Sequence, residues 1–304
     1  MRFDSMTNKL PVWRSALFVP VNVTRFVEKA HTRGADAIIL DLEDSVPLAD
    51  KASARSVARA AAATVAANGP DVLVRINQPL RHAVRDLEAC ICPQVDTVVV
   101  PKVTGPEHIR FIDEVITELE VEHNMPVGHT RLVAYIETPQ ALAQVVEIAA
   151  SSSRLVGMSL GAEDFSSAVG MTPTPEGLFF ANQQVVFAAK SAGVLPLGFV
   201  GSVVEYSDLD AFRQTIRQAR QLGFRGAFGI HPNQIRIMNE EFVATDEEVV
   251  QARGIIEADL LAQKEGRGAF EYEGKMVDAP VVARARETLQ IYEMVASRNL
   301  SKKA

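Results

Sequence analysis

The sequence has very little cysteine. Among its 304 residues there are two cysteines, Cys90 and Cys92. So small a number excludes a disulfide framework. A C-x-C pair with no further cysteine or histidine nearby also lacks the spacing of a zinc site. We therefore expect both cysteines to be inert packing residues.

Excess basic charge and long apolar runs are lacking as well. Lysine and arginine number 31 against 38 aspartates and glutamates, a formal net charge of −7, which argues against a general nucleic-acid binder. No apolar run approaches the roughly 20 residues that span a bilayer. The first residues, MRFDSMTNKLPVW, contain no apolar signal core, so we expect a cytoplasmic protein that does not enter membranes.

What the sequence does contain is a repeating alternation of short apolar runs and helical stretches. With 47% hydrophobic residues the chain can bury a large core. Most runs are continuously apolar, which is typical of parallel strands covered on both faces. The eight predicted strands are residues 16–20, 37–43, 71–77, 97–102, 131–137, 155–161, 195–200 and 226–232.

The segments between these runs show helical periodicity. Ile109, Ile112 and Ile116 fall on one face of a helix. Glycines follow several of the helical stretches, where a helix end is expected. These glycines are Gly34, Gly69, Gly193 and Gly223.

Eight such units predict an α/β protein with a (β/α)8 TIM barrel. The rival is a doubly wound open sheet, which normally carries a glycine-rich phosphate turn after an early strand, and FVPVNVTRF has no G-x-G. We predict that residues 1–240 form the barrel. Residues 241–304 are predicted to form a C-terminal helical extension or lid, with helices near 245–265 and 280–299.

Charged and polar residues stand at the carboxyl ends of the predicted strands. In a (β/α)8 barrel these ends meet at one mouth, where the chemistry of the fold is located. Residues two apart on a strand point to the same side, as Asp41 with Glu43 and Arg75 with Asn77 do here. The remaining polar residues at the strand ends are Asp44, Lys102, Glu137, Glu163, Asp164 and His231.

So many carboxylates at one mouth predict a metal ion. Without a counter-charge these carboxylates would repel one another and raise each other's pKa, and a bound cation would relieve this repulsion. Oxygen ligands alone favour a hard cation, Mg²⁺ or Mn²⁺. We expect Glu137 and Asp164 to bind the metal directly, and Asp41, Glu43 and Asp44 to accept hydrogen bonds from metal-bound water.

Each residue also has a structural interpretation. An aspartate or glutamate of the 41–44 segment could cap the following helix or pair with Arg55, and Glu137 could be a lone polar strand end. Arg75 could simply neutralise an acid at the mouth. Lys102 could be structural or could contact an anionic substrate, and His231 could bond to a neighbouring loop. Their common position at one end of the barrel favours a site.

With these residues in view, the sequence resembles the citrate lyase β-subunit family within the HpcH/HpaI aldolase group, which includes malyl-CoA and citramalyl-CoA lyases. The similarity extends over about residues 14–284. The matching stretches are RSALFVP, DAIILDLEDSVPLADKASAR, LVRIN, VVVPKV, YIETPQAL, GAEDF, GIHPNQ and GKMVDAP.

The resemblance implies a Mg²⁺-dependent lyase of barrel fold that assembles as a trimer or a multiple of trimers. Its substrates would be a CoA thioester and a 2-keto acid, and CoA would enter as part of the substrate. The metal ligands of the family correspond to Glu137 and Asp164, and its substrate-binding arginine corresponds to Arg75. Its acid/base corresponds to Asp278, which a C-terminal lid would supply to the site of a neighbouring subunit.

One residue departs from the family pattern. Relatives usually carry glycine after the first Phe-Val-Pro, where this chain has Val21. Glycine permits a positive φ or the close approach of a ligand, so its replacement by valine puts the binding of CoA at this position in doubt. Lys29, Lys51 and Arg55 are candidate contacts for the CoA phosphates, with ordinary surface charge as the alternative interpretation.

Four functions are consistent with these residues. The leading one is a lyase for malyl-CoA, citramalyl-CoA or citryl thioesters, and the second is a thioesterase for the same compounds. A third is a metal-dependent aldolase for free hydroxy-keto acids, which Val21 favours. The fourth, a non-catalytic carrier-binding subunit, has no need of so many charged residues at one mouth.

Overall fold

In a computed structural model of the protein, residues 10–204 and 207–301 are described. Eight strands come in the order in which the sequence predicts them. They are β1 (Ser15–Pro20), β2 (Ala37–Asp41), β3 (Asp71–Arg75), β4 (Thr97–Val100), β5 (Arg131–Ile136), β6 (Leu155–Leu160), β7 (Leu195–Leu197) and β8 (Ala227–Gly229).

The eight strands form one parallel sheet that closes into a barrel. Each strand from β1 to β6 pairs with the next along the chain, and β1 also pairs with β8. A parallel bridge between Leu197 and Gly226 joins β7 to the segment just before β8. The Gly198 amide also donates a hydrogen bond to the Gly226 carbonyl at 2.8 Å. The predicted (β/α)8 barrel is confirmed.

Helices lie between the strands. The long ones bury the face that their periodicity predicts, and α4 buries Ile109, Ile112 and Ile116. The helices of this part of the chain are α1 (Thr24–Val27), α2 (Lys51–Ala66), α3 (Leu80–Cys90), α4 (Pro106–Glu122), α5 (Pro139–Leu142), α6 (Val145–Ala149), α7 (Ala162–Val169), α8 (Pro175–Ala192), α9 (Leu209–Gln221) and α10 (Pro232–Glu241).

Local residue chemistry explains where these helices begin and end. Pro106 begins α4 at the position where a missing N–H costs nothing, and Asp208 caps α9 by accepting a hydrogen bond from the Ala211 amide at 2.9 Å. The predicted glycine stops all have a positive φ, the conformation that glycine adopts without strain. Their φ values are 74° at Gly34, 93° at Gly69, 72° at Gly193 and 103° at Gly223.

Side chains fill the interior of the barrel. Ile39, Leu73, Val99 and Val133 come from four consecutive strands and belong to one buried cluster. Trp13 belongs to the same cluster, and its indole N–H donates a hydrogen bond to Asp71 Oδ2 at 2.7 Å. The barrel is therefore a packed core and not a pore, and a ligand can bind only at its mouth.

The chain forms two compact units that divide between Glu240 and Glu241. The second unit contains the two predicted helices, α11 (Asp246–Lys264) and α12 (Ala279–Ser301). It also contains an antiparallel hairpin of β9 (Phe270–Tyr272) and β10 (Lys275–Val277), which the sequence analysis did not predict. That this unit serves as a lid stays a prediction.

Cys90 and Cys92 are buried and free. Burial raises the pKa of the Cys90 thiol, which keeps it protonated and unreactive, as expected for a packing residue. Among the described residues, no helix has the length and the apolar character needed to cross a bilayer.

Candidate active site

A cavity of about 470 Å³ lies within the first unit, at the carboxyl ends of the strands. A (β/α)8 barrel places its functional residues at this end. The lining combines acidic, cationic, hydroxyl and aromatic side chains. Among the residues that line it are Phe18, Asp41, Asp44, Ser45, Arg75, Tyr135, Glu137, Ser159, Gly161, Glu163, Asp164 and Phe228.

The strongest ion pair of the cavity joins the ends of β2 and β3. Arg75 Nε and Nη2 donate hydrogen bonds to the two carboxylate oxygens of Asp41, each at 2.7 Å. Burial alone would raise the pKa of the Asp41 carboxyl, but the hydrogen bonds and charge of Arg75, together with Ser45 and the Glu43 amide, hold it below its usual range. Asp41 therefore stays ionised and fixes the plane of the guanidinium.

Two further carboxylates share this positive charge. Glu43 Oε2 lies 3.0 Å from Arg75 Nη1 without the geometry of a hydrogen bond, and Oε1 accepts one from Lys102 Nζ at 2.7 Å. Asp44 lies 3.4 Å from Arg75 Nη1 and 3.5 Å from Lys102 Nζ. Burial lowers the pKa of Lys102, but Glu43, Asp44 and Asp164 outweigh it and raise the pKa, so the lysine stays charged.

The Lys102 backbone also holds the acid that ends β5. Lys102 has a φ of 47°, which is rare for a residue other than glycine, and its amide N–H donates a short hydrogen bond to Glu137 Oε2. No other hydrogen bond to the Glu137 carboxylate occurs within residues 10–204 and 207–301. Its second oxygen, Oε1, is thus free to bind a ligand.

Glu137 is buried among other acids. Its side chain lines the cavity although only 3% of the residue is exposed. Burial raises the pKa of Glu137 to about 7; the Lys102 amide opposes the increase, and the charges of Asp164 and Glu43 add to it. A cation bound beside Glu137 and Asp164 would reverse this effect.

Gly161 leaves the space that the Glu137 carboxylate occupies. A β-carbon on Gly161 would lie 2.4 Å from Glu137 Cγ and 2.5 Å from Oε1, closer than real Cβ contacts allow. Asp164 follows three residues later in the first turn of α7 and lines the same cavity with its side chain 42% exposed. Neither Asp164 oxygen forms a hydrogen bond in the described part of the chain.

These two acids fit a hard divalent cation. Glu137 and Asp164 both line the cavity, their charges interact, and Gly161 leaves room for the Glu137 carboxylate. The described residues contain no group of three or more His, Cys, Asp or Glu side chains arranged to hold a metal. Mg²⁺ needs only one or two protein carboxylates, because water and substrate complete its octahedron.

An aromatic floor lies beneath the charged groups. The Arg75 guanidinium carbon is 4.7 Å from the ring centroid of Phe18. The Phe18 and Phe228 centroids are 6.1 Å apart, and those of Phe228 and Tyr135 are 5.2 Å apart. Burial raises the pKa of Tyr135 well above its usual value; Arg75 opposes this and the nearby acids add to it, so the phenol is neutral.

Two predicted site residues serve as structural supports in this conformation. Asn77 Nδ2 donates hydrogen bonds to the Leu42 carbonyl at 2.9 Å and to buried Asp86 at 2.6 Å. Lys51 Nζ donates to the carbonyls of Leu42 at 2.7 Å and of Glu43 at 2.6 Å. Both side chains therefore hold the loop after β2 in place. Their roles in binding substrate and CoA stay predictions.

The other predicted contacts lie away from the cavity lining. Arg55 donates to Asp86 Oδ1 at 2.5 Å and does not pair with the acids of the 41–44 segment. Lys29 is exposed to solvent. His231 Nδ1 accepts a hydrogen bond from the Asn233 amide at 3.2 Å, beside the start of α10. Asp278 precedes α12 in the second unit.

Val21 occupies its position without strain. It is buried, its φ is not positive, and its amide donates a hydrogen bond to the Asp41 carbonyl at 3.2 Å. The conformational reason for a glycine at this position therefore does not apply to this chain.

Three residues that line the cavity, Gly161, Tyr135 and Ser159, were not predicted from the sequence to belong to the site. Gly161 was interpreted only as the end of a strand. Tyr135 and Ser159 lie inside predicted strands, where an aromatic residue or a serine suits any core position. The alternation of side chains places Tyr135 on the same face of β5 as Glu137, and this rule could have identified it.

The sequence profile of the HpcH/HpaI aldolase/citrate lyase family matches residues 14–232. The chain belongs to this family. Its members are carbon–carbon lyases, and this chain is a lyase of that type.

Several relatives are similar over nearly the whole chain. The citrate lyase subunit beta of Escherichia coli (strain K12) is 36% identical over 291 residues, which cover 94% of this chain and 95% of that protein. The L-malyl-CoA/beta-methylmalyl-CoA lyase of Cereibacter sphaeroides (strain ATCC 17025) is 33% identical, with 93% and 96% covered.

Solved structures show the same architecture. The protein CitE from Mycobacterium tuberculosis, in complex with magnesium, acetoacetate and coenzyme A, is 28% identical, with a TM-score of 0.72 over 92% of this chain and 97% of that chain. A citrate lyase from Burkholderia xenovorans LB400 is 21% identical, with a TM-score of 0.78 over 96% and 93%, which supports the fold alone.

Proposed function

We propose that the protein is a Mg²⁺-dependent lyase that cleaves a 3-hydroxyacyl-CoA thioester of the malyl-CoA, citramalyl-CoA or citryl type. The products are a 2-keto acid and acetyl-CoA or another short acyl-CoA. One observation carries the proposal: buried Glu137 presents a free carboxylate oxygen next to Asp164, in a cavity that also contains Arg75. The named ligands and activities of the relatives support it.

Glu137 and Asp164 would hold the metal ion. The same oxygen donors suit Mn²⁺, which makes it a second candidate. Bound there, the ion would act as a Lewis acid toward the hydroxyl and carboxylate oxygens of the substrate. Asp41, Glu43 and Asp44 pair with Arg75 and Lys102, which keeps both cations charged, and the three acids could accept hydrogen bonds from metal-bound water.

The chain's own residues account for the remaining chemistry. The substrate hydroxyl gives its proton to solvent water and becomes the carbonyl of the 2-keto acid, the C–C bond breaks, and the bonding electron pair passes to the thioester as an enolate. Arg75, fixed by Asp41, stabilises oxyanion charge at the thioester oxygen. Lys102 is a further contact for an anionic group of the substrate. Protonation of the enolate carbon gives the shorter acyl-CoA.

Asp278 is the proposed donor of that proton. Asp278 lies just before α12, and in the described part of the chain its carboxylate accepts a single long hydrogen bond, from the Val281 amide at 3.4 Å, so it is available for chemistry. We propose that it acts in the site of a neighbouring subunit, as the family resemblance implies. Lys29, which is exposed, is a candidate contact for the phosphates of CoA.

Assembly into a homotrimer or hexamer is part of this proposal. Three phenylalanines of α8 are exposed: Phe179 by 44%, Phe180 by 70% and Phe187 by 65%. Residues seven or eight apart lie on one side of a helix. Exposed apolar groups clustered in this way are typical of an interface between subunits.

The test is a mass-spectrometric screen of the purified protein against malyl-CoA, citramalyl-CoA and citryl-CoA, with Mg²⁺ and with EDTA. A keto acid and a shorter acyl-CoA that form only with Mg²⁺ support the lyase and identify its substrate. Free CoA with the intact hydroxy acid indicates a thioesterase. Cleavage of free hydroxy-keto acids alone indicates an aldolase without CoA, and absence of both metal binding and turnover indicates a non-catalytic subunit.

A further inference from the structure

The Tyr135 hydroxyl is an unused polar group on the floor of the cavity. Tyr135 is only 7% exposed, yet it lines the cavity. Val133 and Tyr135 both belong to the interior cluster of the barrel and share one face of β5, and Glu137, which follows the last residue of that strand, lines the same cavity as Tyr135. The tyrosine therefore lies one step below the carboxylate that is proposed to bind metal.

No residue in the described part of the chain forms a hydrogen bond with this hydroxyl. Its neighbour across the sheet is similar. Ser159 is the register partner of Tyr135, is 2% exposed and lines the cavity, and its only hydrogen bond is a long one to the Leu160 carbonyl at 3.5 Å. Both residues line the cavity, so their hydroxyls are available to a bound ligand or to water there.

The packing of the floor directs the tyrosine toward the same ligand as Arg75. A continuous row of rings, Phe18, Phe228 and Tyr135, connects the two groups, with Arg75 lying over the first ring and Tyr135 forming the last. The charges of Arg75 and Tyr135 interact, and both residues line the cavity, so one small ligand bound there can reach both groups. Phe228 fixes the ring of Tyr135, so the hydroxyl is preorganised before the ligand binds.

Arg75 alone is a weakened source of positive charge. Asp41 takes two of its N–H groups, and Glu43 and Asp44 lie at 3.0 and 3.4 Å from a third nitrogen. Three carboxylates therefore share one guanidinium. An enolate oxygen needs a donor whose dipole is not already compensated, and a neutral hydroxyl in a buried site provides one.

We propose that Tyr135 is a catalytic residue whose hydroxyl donates a hydrogen bond to the thioester carbonyl oxygen of the bound acyl-CoA. The inference rests on the proposed lyase function and goes beyond it. When the C–C bond breaks, its electron pair forms the C=C bond of the enolate, and the π electron pair of the thioester carbonyl moves onto this oxygen, so that C=O becomes C–O⁻. The hydrogen bond strengthens as the charge grows, so Tyr135 stabilises the transition state more than the bound substrate.

The test compares Tyr135→Phe with the wild-type protein on the thioester identified by the screen. The variant keeps the ring and its packing on Phe228. We expect kcat to fall about 100-fold, the size of effect found when one oxyanion donor is removed, with KM changed less than threefold. A second readout is the near-ultraviolet tyrosine difference spectrum on binding the thioester, which should be present in the wild type and absent in the variant.

Tyr292→Phe is the matched control, because it removes a phenol hydroxyl from α12 outside the cavity lining. A kcat of Tyr135→Phe within twofold of the wild type would overturn the role of Tyr135 and leave the lyase proposal standing, and the hydroxyl would then bind only water. A wild-type protein that cleaves no thioester would overturn both. A rise in KM with kcat unchanged would also overturn the role of Tyr135, because a hydrogen bond that is no stronger in the transition state than in the bound substrate gives that result.

Discussion

A β-carbon on Gly161 would lie 2.4 Å from Cγ of Glu137. The end of β6 thus has no side chain at the point where the acid at the end of β5 needs space. Gly161, at the end of β6, therefore determines where the carboxylate of Glu137, at the end of the neighbouring strand β5, can lie.

Gly161→Ala is therefore expected to impair the site without unfolding the barrel. The new methyl group would push the Glu137 carboxylate away from its hydrogen bond with the Lys102 amide. We expect Mg²⁺ affinity and kcat each to fall at least tenfold, because a displacement of about 1 Å is enough to cost that much. Calorimetric titration with Mg²⁺ and steady-state kinetics measure the two effects.

Gly170→Ala is a control for the loss of a glycine at the other end of α7, where nothing lies within 4 Å of an added β-carbon. Its positive φ of 79° makes it slightly destabilising, but Mg²⁺ affinity should not change. Wild-type Mg²⁺ affinity in Gly161→Ala would show that Glu137 does not bind the metal in the position described.

The raised pKa of Glu137 predicts how Mg²⁺ binding depends on pH. Its folded-state pKa is about 7, against an ordinary value of 4.5. Between these values the metal-free folded protein holds a proton that the unfolded chain has released, so this group lowers the free energy of unfolding as pH rises through that window. Bound Mg²⁺ must displace the proton, so its affinity should rise about tenfold per pH unit below pH 7 and level off above it.

Glu137→Gln should bind Mg²⁺ weakly and lose this pH dependence. Asp164→Asn should also lose Mg²⁺-dependent turnover while its thermal unfolding stays close to that of the wild type. Full activity in Asp164→Asn would exclude it as a metal ligand. A wild-type Mg²⁺ affinity that does not change between pH 5 and 8 would show that Glu137 carries no proton in this range.

Arg75→Lys tests the paired hydrogen bonds at the β2–β3 end. Lysine keeps the charge but cannot donate from two nitrogens to the two oxygens of Asp41. We expect kcat to fall by about 100-fold, since the remaining cation is no longer fixed in orientation. Thermal unfolding serves as the control for folding. Turnover equal to the wild type would show that charge alone suffices.

The sequence predicted the barrel because parallel strands buried on both faces are apolar along their whole length. A strand lies in each of the eight predicted runs, and Asp41, Asp44, Arg75, Glu137 and Asp164 line one cavity. Glu43 and Lys102 are joined to this group by ion pairs. The sequence pattern was less reliable at the ends of the strands. β3 ends at Arg75, so the rule that residues two apart share a face does not extend to Asn77, whose side chain supports a loop.

Contacts between different strands were not predictable in this way. The fit of Glu137 against Gly161 depends on the register of β5 with β6, and an apolar pattern does not specify register in a barrel. The β9–β10 hairpin was missed because three-residue strands are too short to show alternation. Tyr135 was missed because its hydroxyl matters only beside Arg75 and Phe228.

The exposed phenylalanines of α8 predict the effect of a charge on assembly. Phe180→Glu should convert the oligomer into monomers, because it places a carboxylate in an apolar interface. Size-exclusion chromatography with light scattering measures the mass. Val121→Glu is the matched control on α4, where Val121 is exposed and lies ten residues from Phe111, the other exposed large apolar residue that this helix carries. A variant of unchanged mass would place the interface elsewhere.

Mixed oligomers test whether Asp278 serves a neighbouring subunit. Asp278→Ala lacks the proton donor and Glu137→Ala lacks a metal ligand, so each should be inactive alone. A mixed oligomer contains sites that combine Glu137 of one subunit with Asp278 of the next. In a cyclic assembly with random exchange at equal amounts, about a quarter of the sites are complete. We therefore expect about 25% of wild-type turnover after the two proteins are unfolded and refolded together.

The control is each variant refolded alone, and native mass spectrometry confirms that mixed oligomers have formed. If Asp278 acts within its own subunit, every site contains one damaged residue and no activity returns. An absence of activity in verified mixed oligomers would contradict the proposal that two subunits share one active site. Recovery of a quarter of the activity would instead mean that the second unit of one chain completes the barrel of another, so that Phe180→Glu, by separating the subunits, should abolish turnover as well.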